Sequence, residues 1–234
     1  MKFARLAGVL YVMVIVFGFF AEIGARQRLV VANDAAATAA GILAHEALFR
    51  WGFASDLIAL LAVVPLILLL YELLKVVNRQ LALLALFFSI VGTAVQAASL
   101  LGHFAPLMLL KRGAALGVSP ALLQAQSYMA IQLQGIGYAI ALAFFGGTMV
   151  TRGVLIVRST FLPAFLGVLL LLAGPAYLLS SFVLFVAPAI AGYAMALLIF
   201  PFIGESSLAL WLLVKGVKAA KWEEARRAAT ISAA

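Results

Sequence analysis

The chain has no cysteine, two histidines, and eight Asp and Glu residues in 234. Without thiols there are no disulfides, no thiolate nucleophile and no cysteine-ligated metal. Charge of either sign is scarce: Asp, Glu, Lys and Arg make up 10% of the residues, against about a quarter in an average soluble domain. HExxH, GxSxG, a phosphate-binding loop and a dinucleotide fingerprint are all missing, which removes the enzyme classes that depend on them. The glycine-rich strings GIGY and FFGG sit inside apolar runs. What is present is hydrocarbon, with 67% hydrophobic residues and a mean hydropathy of +1.20. Such a chain is solvated by lipid.

About 20 apolar residues cross a bilayer as a helix. Six segments qualify, at roughly 4–23, 55–74, 81–107, 122–150, 161–187 and 193–214. The third, fourth and fifth are long enough to tilt or protrude. Residues 1–20 resemble a signal peptide, with Lys2 and Arg5 before an apolar core, but no small-x-small cleavage site precedes Ala21, so they read as a retained first span. The expected fold is an all-α polytopic membrane bundle of six transmembrane helices, with an extracytoplasmic helix between the first two. It occupies residues 1–218 as one domain, followed by a short basic cytoplasmic tail at 219–234.

Orientation follows from Lys and Arg. With both termini cytoplasmic, eleven basic residues lie inside (among them Lys75, Arg79, Arg152, Arg158 and the tail) and five outside: Arg26, Arg28, Arg50, Lys111 and Arg112. The setting is a bacterial inner, or plasma, membrane. The net charge of +8 suggests nucleic acid at first sight. The basic residues, however, fall between and after apolar runs with no interleaved aromatics, which is the pattern of topology and lipid-headgroup contact. Membrane lipids, and no nucleic acid, are the expected partners.

Chemistry-bearing residues concentrate in 33–58, NDAAATAAGILAHEALFRWGFASDLI, which holds Asp34, His45, Glu46, Arg50 and Asp56. Its first part reads as a helix over 34–50 capped by Asn33 or Asp34. Glu46 and Arg50 are spaced for a helical ion pair. This helix would lid a cavity whose mouth carries His45, Glu46, Arg50 and Asp56.

Within the spans, polar groups are costly and therefore informative. Ser89, Gly92, Gln96, Ser99 and His103 recur at steps of three and four on one face of the third span. Gln124, Ser127, Tyr128, Gln132, Gln134, Gly135 and Tyr138 cover a sector of about 160° on the fourth. A packing seam explains Ser89 and Gly92; the wider sector reads as a cavity wall. Glu205 lies ten residues before Lys215, hence ~15 Å into the membrane, where a carboxylate is protonated, paired or facing water. An inward Glu205 would meet Gln96, Gln134 or Tyr138. Asp56 and Glu22 sit at outer span ends, within reach of Arg26, Arg28 and Arg50. His45, Glu46, Asp56, His103 and Glu205 offer N and O ligands, but two histidines without helical pairing assign no metal, and the residues name no cofactor.

Four stretches resemble a bacterial six-span membrane family, domain-of-unknown-function family 4386. They are RLAGVLYVMVIVFGFFAEIGAR (5–26), the 33–58 stretch, VRSTFLPAFLGVLLLLAGPAYLL (157–179) and GESSLALWLLVKG (204–216), so the resemblance covers nearly the whole chain. Arg158-Ser159 with Pro163 and Gly167 is its distinctive part. The resemblance implies the six-span architecture and no particular activity. It also leads to an expected histidine in the FFG-containing turn after the fourth span, where this chain has Thr148.

The functional expectation is an outward-facing polar cavity that binds, or binds and translocates, a small amphiphilic or lipid-like ligand. Gln96, His103, Gln132, Gln134, Tyr138 and Glu205 would line it. Two other classes fit the same residues. One is an intramembrane hydrolase, metal-dependent or lipid-modifying, with Glu205 or Asp56 as base and His103 as ligand or acid. The other is a structural partner subunit whose polar seams pack on another chain, a second copy included.

Overall fold

The computed structural model describes residues 2–231. Ten α-helices occur among them: α1 (Lys2–Phe19), α2 (Gln27–Leu29), α3 (Ala35–Ala44), α4 (Glu46–Leu74), α5 (Arg79–Arg112), α6 (Pro120–Arg158), α7 (Ala164–Val186), α8 (Ala191–Ala196), α9 (Ile199–Val214) and α10 (Ala219–Ile231). A π-helix, Phe20–Arg26, joins α1 to α2 without a break. Six runs are long and apolar enough to cross a membrane: Lys2–Leu29, Glu46–Leu74, Arg79–Arg112, Pro120–Arg158, Ala164–Val186 and Pro188–Val214. The chain is an all-α polytopic membrane bundle. Large apolar side chains such as Leu61 and Leu101 point outward, 75% and 78% exposed, as they do where lipid is the solvent.

Capping explains several boundaries. Asp34 is the N-cap of α3, its Oδ1 accepting from the Ala37 amide at 2.8 Å. Asn33 precedes it at φ 60°, a left-handed turn that asparagine tolerates. Asn78, just before α5, accepts at Oδ1 from the Leu81 amide in that helix's first turn at 2.9 Å. Pro120 opens α6, where its missing amide costs nothing. Gly216, at φ 67°, closes α9 with its amide on the Trp211 carbonyl.

The 33–58 stretch departs from the single helix expected over 34–50. The helix breaks at His45, whose φ of −122° and ψ of 41° lie outside the helical region. A new helix then starts at Glu46 and runs straight into the span, nine residues before the expected 55. Glu46, Arg50 and Asp56 therefore share α4, and His45 is the hinge before it. The fourth span also extends beyond its expected end. FFGGTMV is not a turn; it lies inside α6, and so does Arg152.

The described chain forms two compact units. The first comprises Met1–Met13, Ala62–Thr93 and Ala139–Ala234; the second comprises Val14–Leu61 and Ala94–Tyr138. In the first, α6 and α7 meet through four glycines. A Cβ at Gly167 would sit 2.6 Å from the Gly153 carbonyl oxygen, and one at Gly174 would sit 2.9 Å from that of Gly146. The two pairs are each seven residues apart on antiparallel helices, so small residues let the backbones touch. The residues beyond 218, expected as a tail, form α10 and belong to this unit; positions 232–234 lie outside the described residues. Trp222 Nε1 donates to the Leu73 carbonyl at 3.0 Å, and its ring meets Phe3 edge-on. In the second unit, Leu29, Ile42, Phe49, Leu107 and Ile131 form a buried cluster, so α3 is fastened by Ile42.

Candidate functional site

Polar side chains gather at one place in each unit. In the second unit the centre is Arg26, on the π-helix. Its Nη1 donates to Asp56 Oδ2 and to His103 Nδ1, both at 2.6 Å, and its Nε donates to Glu22 Oε2 at 2.9 Å. The exposures of 8%, 4% and 0% for Arg26, Asp56 and His103 make this a dry ion pair with an imidazole attached. Guanidinium only donates, so His103 Nδ1 accepts and the ring's proton resides on Nε2. Nε2 is buried and has no hydrogen-bond partner among the described residues. Phe49 and Phe53 wall the ring, with centroids 4.7 and 5.7 Å from it. A Cβ on Gly52 would fall 3.7 Å from His103 Cε1.

Arg26 occupies the position between Asp56 and His103 that a cation would need. No group of three or more His, Cys, Asp or Glu among the described residues is placed to hold a metal.

In the first unit the centre is Glu205 on α9. Tyr11 from α1 donates to its Oε2 at 2.7 Å and Tyr177 from α7 to its Oε1 at 2.6 Å. Both carboxylate oxygens are thus occupied. The Arg152 guanidinium, from α6, lies against the Tyr11 hydroxyl and donates from Nη2 to Ser89 Oγ at 2.8 Å. Ser89 Oγ in turn donates to the Ala85 carbonyl at 2.7 Å and lies 3.2 Å from Thr148 Oγ1. Thr148, standing where the family resemblance leads to a histidine, is part of this network.

The residues singled out from sequence divide between the two places. His103 and Asp56 come together. Gln96, Gln132, Gln134 and Tyr138 are in the same unit, with Gln134 buried, Gln96 and Tyr138 half-buried and Gln132 exposed. Glu205 belongs to the first unit, and tyrosines take the partner role foreseen for Gln96, Gln134 or Tyr138. His45 is exposed, its Nδ1 3.2 Å from the Gly41 carbonyl. Glu46 accepts from Arg50 Nε at 2.8 Å and from Lys111 Nζ at 2.5 Å in surface pairs. Tyr128, foreseen as cavity wall, accepts from the Asn33 amide at 2.8 Å and so ties down the lead-in to α3.

Sequence reading did not single out Tyr11 or Tyr177, counted Arg152 only as an inner-side charge, and saw Arg26 only as a charge near a span end. Arg152 carried a signal. The apolar string GVLIV follows it before Arg158, which extends the helix and embeds the charge. Arg26 stands four residues after Glu22, the same ion-pair spacing that was noticed for Glu46 and Arg50.

Six helices long and apolar enough to cross a membrane define a multi-pass α-helical membrane protein. The chain belongs to the family described as a domain of unknown function (DUF4386), whose model matches residues 6–216. It is also similar to an uncharacterized protein of Archaeoglobus fulgidus, 33% identical over 75 residues, which are 32% of this chain and 43% of that protein. The chain therefore spans less than half the length of that relative. No solved structure matches it.

Proposed function

We propose that the protein binds a small amphiphilic, lipid-like ligand in its second unit, with the ligand's polar end at His103. The observation that carries this reading is the bare Nε2–H of His103. A buried donor without an acceptor costs about 1–3 kcal/mol, and a ligand carbonyl, hydroxyl or phosphoryl oxygen would recover it. Arg26 fixes the tautomer that presents this donor, and Asp56 with Glu22 holds Arg26. The Phe49 and Phe53 rings supply apolar wall, and Gln96, Gln134 and Tyr138 are the further polar side chains available in the same unit. Glu205, saturated by tyrosines, is not used.

In this reading the site faces outward, with His45, Glu46 and Arg50 near its mouth. That follows from the distribution of Lys and Arg, which also puts both termini in the cytoplasm of a plasma-membrane protein. A cysteine at exposed Ala36 should then react with an impermeant maleimide in intact cells, and one at exposed Ala220 should not. The reverse pattern removes the outward orientation.

Native mass spectrometry after mild delipidation tests the binding itself. The purified protein should retain a species of a few hundred daltons, and His103→Phe, which keeps a ring and deletes the donor, should lose it. A folded His103→Phe variant that retains the same mass equally well overturns the assignment.

A further inference from the structure

The first unit contains a cavity of about 10 Å³, which is room for one water-sized particle. Ile67, Ala82, Ala85 and Leu155 are among its walls, and Arg152 and Tyr71 are the lining side chains that carry a polar group. Arg152 is 6% exposed. It contacts Ser89 Oγ and the Tyr11 hydroxyl, both neutral, and a guanidinium has five N–H donors to place. The acid that balances its charge, Glu205, is reached through Tyr11. A buried cation thus borders a small chamber whose walls, Tyr71 apart, are otherwise aliphatic, and no carboxylate among the described residues lies directly on it.

We infer that this chamber is a site for one small monovalent anion of halide size, and that filling it is linked to protonation of Glu205. A water needs two to four polar partners to be held well, and this lining offers few. A halide needs chiefly one strong cationic donor, and in a low-dielectric interior that attraction far exceeds its value in water.

The linkage follows from charge. With Glu205 ionised, the pair with Arg152 is neutral, and an added anion leaves one uncompensated negative charge in the protein interior. With Glu205 protonated, the anion itself becomes the counter-ion of Arg152. Anion and proton therefore enter together. The groups that face this exchange are few. Tyr11 from α1, Tyr177 from α7 and Arg152 from α6 surround Glu205. Ser89 from α5 and, across the cavity, Tyr71 from α4 complete the surroundings of Arg152. Lys75, paired with Glu72 at 2.7 Å, lies 5.5 Å over the Tyr71 ring. The site is independent of the ligand proposed for His103, so either reading can fail alone.

The test is thermal unfolding of the detergent-purified protein in sodium chloride or bromide, with sodium gluconate keeping ionic strength constant, at pH 5.5 and pH 8.0. Halide should raise the midpoint, and the halide concentration giving half the rise should be at least tenfold lower at pH 5.5. Glu205→Gln retains an acceptor and a polar head for the tyrosines while removing the charge. It should bind halide with the tighter constant at both pH values. Ala85→Val, which adds methyl groups to the chamber, should abolish the halide response. Superimposed halide and gluconate curves in both the parent and Glu205→Gln would mean the chamber holds water alone, and overturn the site. An undiminished response in Ala85→Val overturns its location, and equal responses at the two pH values overturn the link to Glu205.

Discussion

The two units solve the same problem, an ionised group inside a membrane protein, by different chemistry. In the second unit Arg26 touches its acid directly, and the geometry is completed by an imidazole that ends in an unmet donor. In the first unit Arg152 and Glu205 communicate through the Tyr11 hydroxyl, and both carboxylate oxygens are saturated by neutral donors. Direct pairing concentrates the energy in one contact that is expensive to break. Mediation by hydroxyls spreads it over several contacts, each worth about 1.5–3 kcal/mol because one partner is charged. The lesson is that burial of charge alone does not set how sensitive a cluster is; the number of intermediaries does.

Breaking the direct pair should therefore have the largest effect. Asp56→Ala leaves the buried Arg26 with the partly exposed Glu22 as its one remaining carboxylate, and removal of one partner of a buried pair costs about 3–5 kcal/mol. Chemical unfolding in detergent should show this as a large fall in midpoint, or as failure to purify a folded protein. Tyr11→Phe, in the mediated cluster, should cost less, about 1–3 kcal/mol, because it strips one donor from Glu205 and an acceptor from Arg152 together. Tyr177→Phe removes a single donor from a carboxylate that keeps Tyr11, and should cost about 1.5 kcal/mol, the low end for a hydrogen bond to a charged group. If Tyr11→Phe proves as damaging as Asp56→Ala, the contrast between direct and mediated pairing is lost. At the small end, Lys111→Ala breaks a pair between half-exposed partners, and its melting curve should superimpose on the parent's, since such pairs contribute little.

The spans were legible because hydrophobic length is a one-dimensional quantity. Their ends were not, because a charge such as Arg152 can be absorbed by a partner far away in the chain. Tyr11 and Glu205 are 194 residues apart, and nothing local in LAGVLY or FIGESS announces that they meet. Asp34 as the cap of α3 and the Glu46–Arg50 pair were readable, since both are short-range effects. The break at His45 was not, because Ala44-His45-Glu46 holds neither glycine nor proline to signal it. His103 and Asp56 were both chosen as site residues, but what joins them is Arg26. Its side chain is delivered by the π-helix, a backbone state that side-chain periodicity at 3.6 residues per turn does not encode. The glycine seam of α6 and α7 was present in the spacing of Gly146, Gly153, Gly167 and Gly174, hidden by the abundance of small residues around it.

The π-helix at Phe20–Arg26 also makes this segment a counting device. A wide turn accommodates one residue more than an α-helix would over the same rise, so the direction in which Arg26 leaves the backbone depends on how many residues precede it as well as on which they are. Deleting one residue from 20–25 would remove that extra residue, and an all-α segment would then hold Arg26 near its present heading, whereas inserting one into the intact segment would swing each following side chain by about 100°. Alanine substitutions at the exposed positions of this segment would leave the heading of Arg26 intact. The stretch is then tolerant of losing a residue and intolerant of gaining one, an asymmetry that an ordinary α-helical turn lacks.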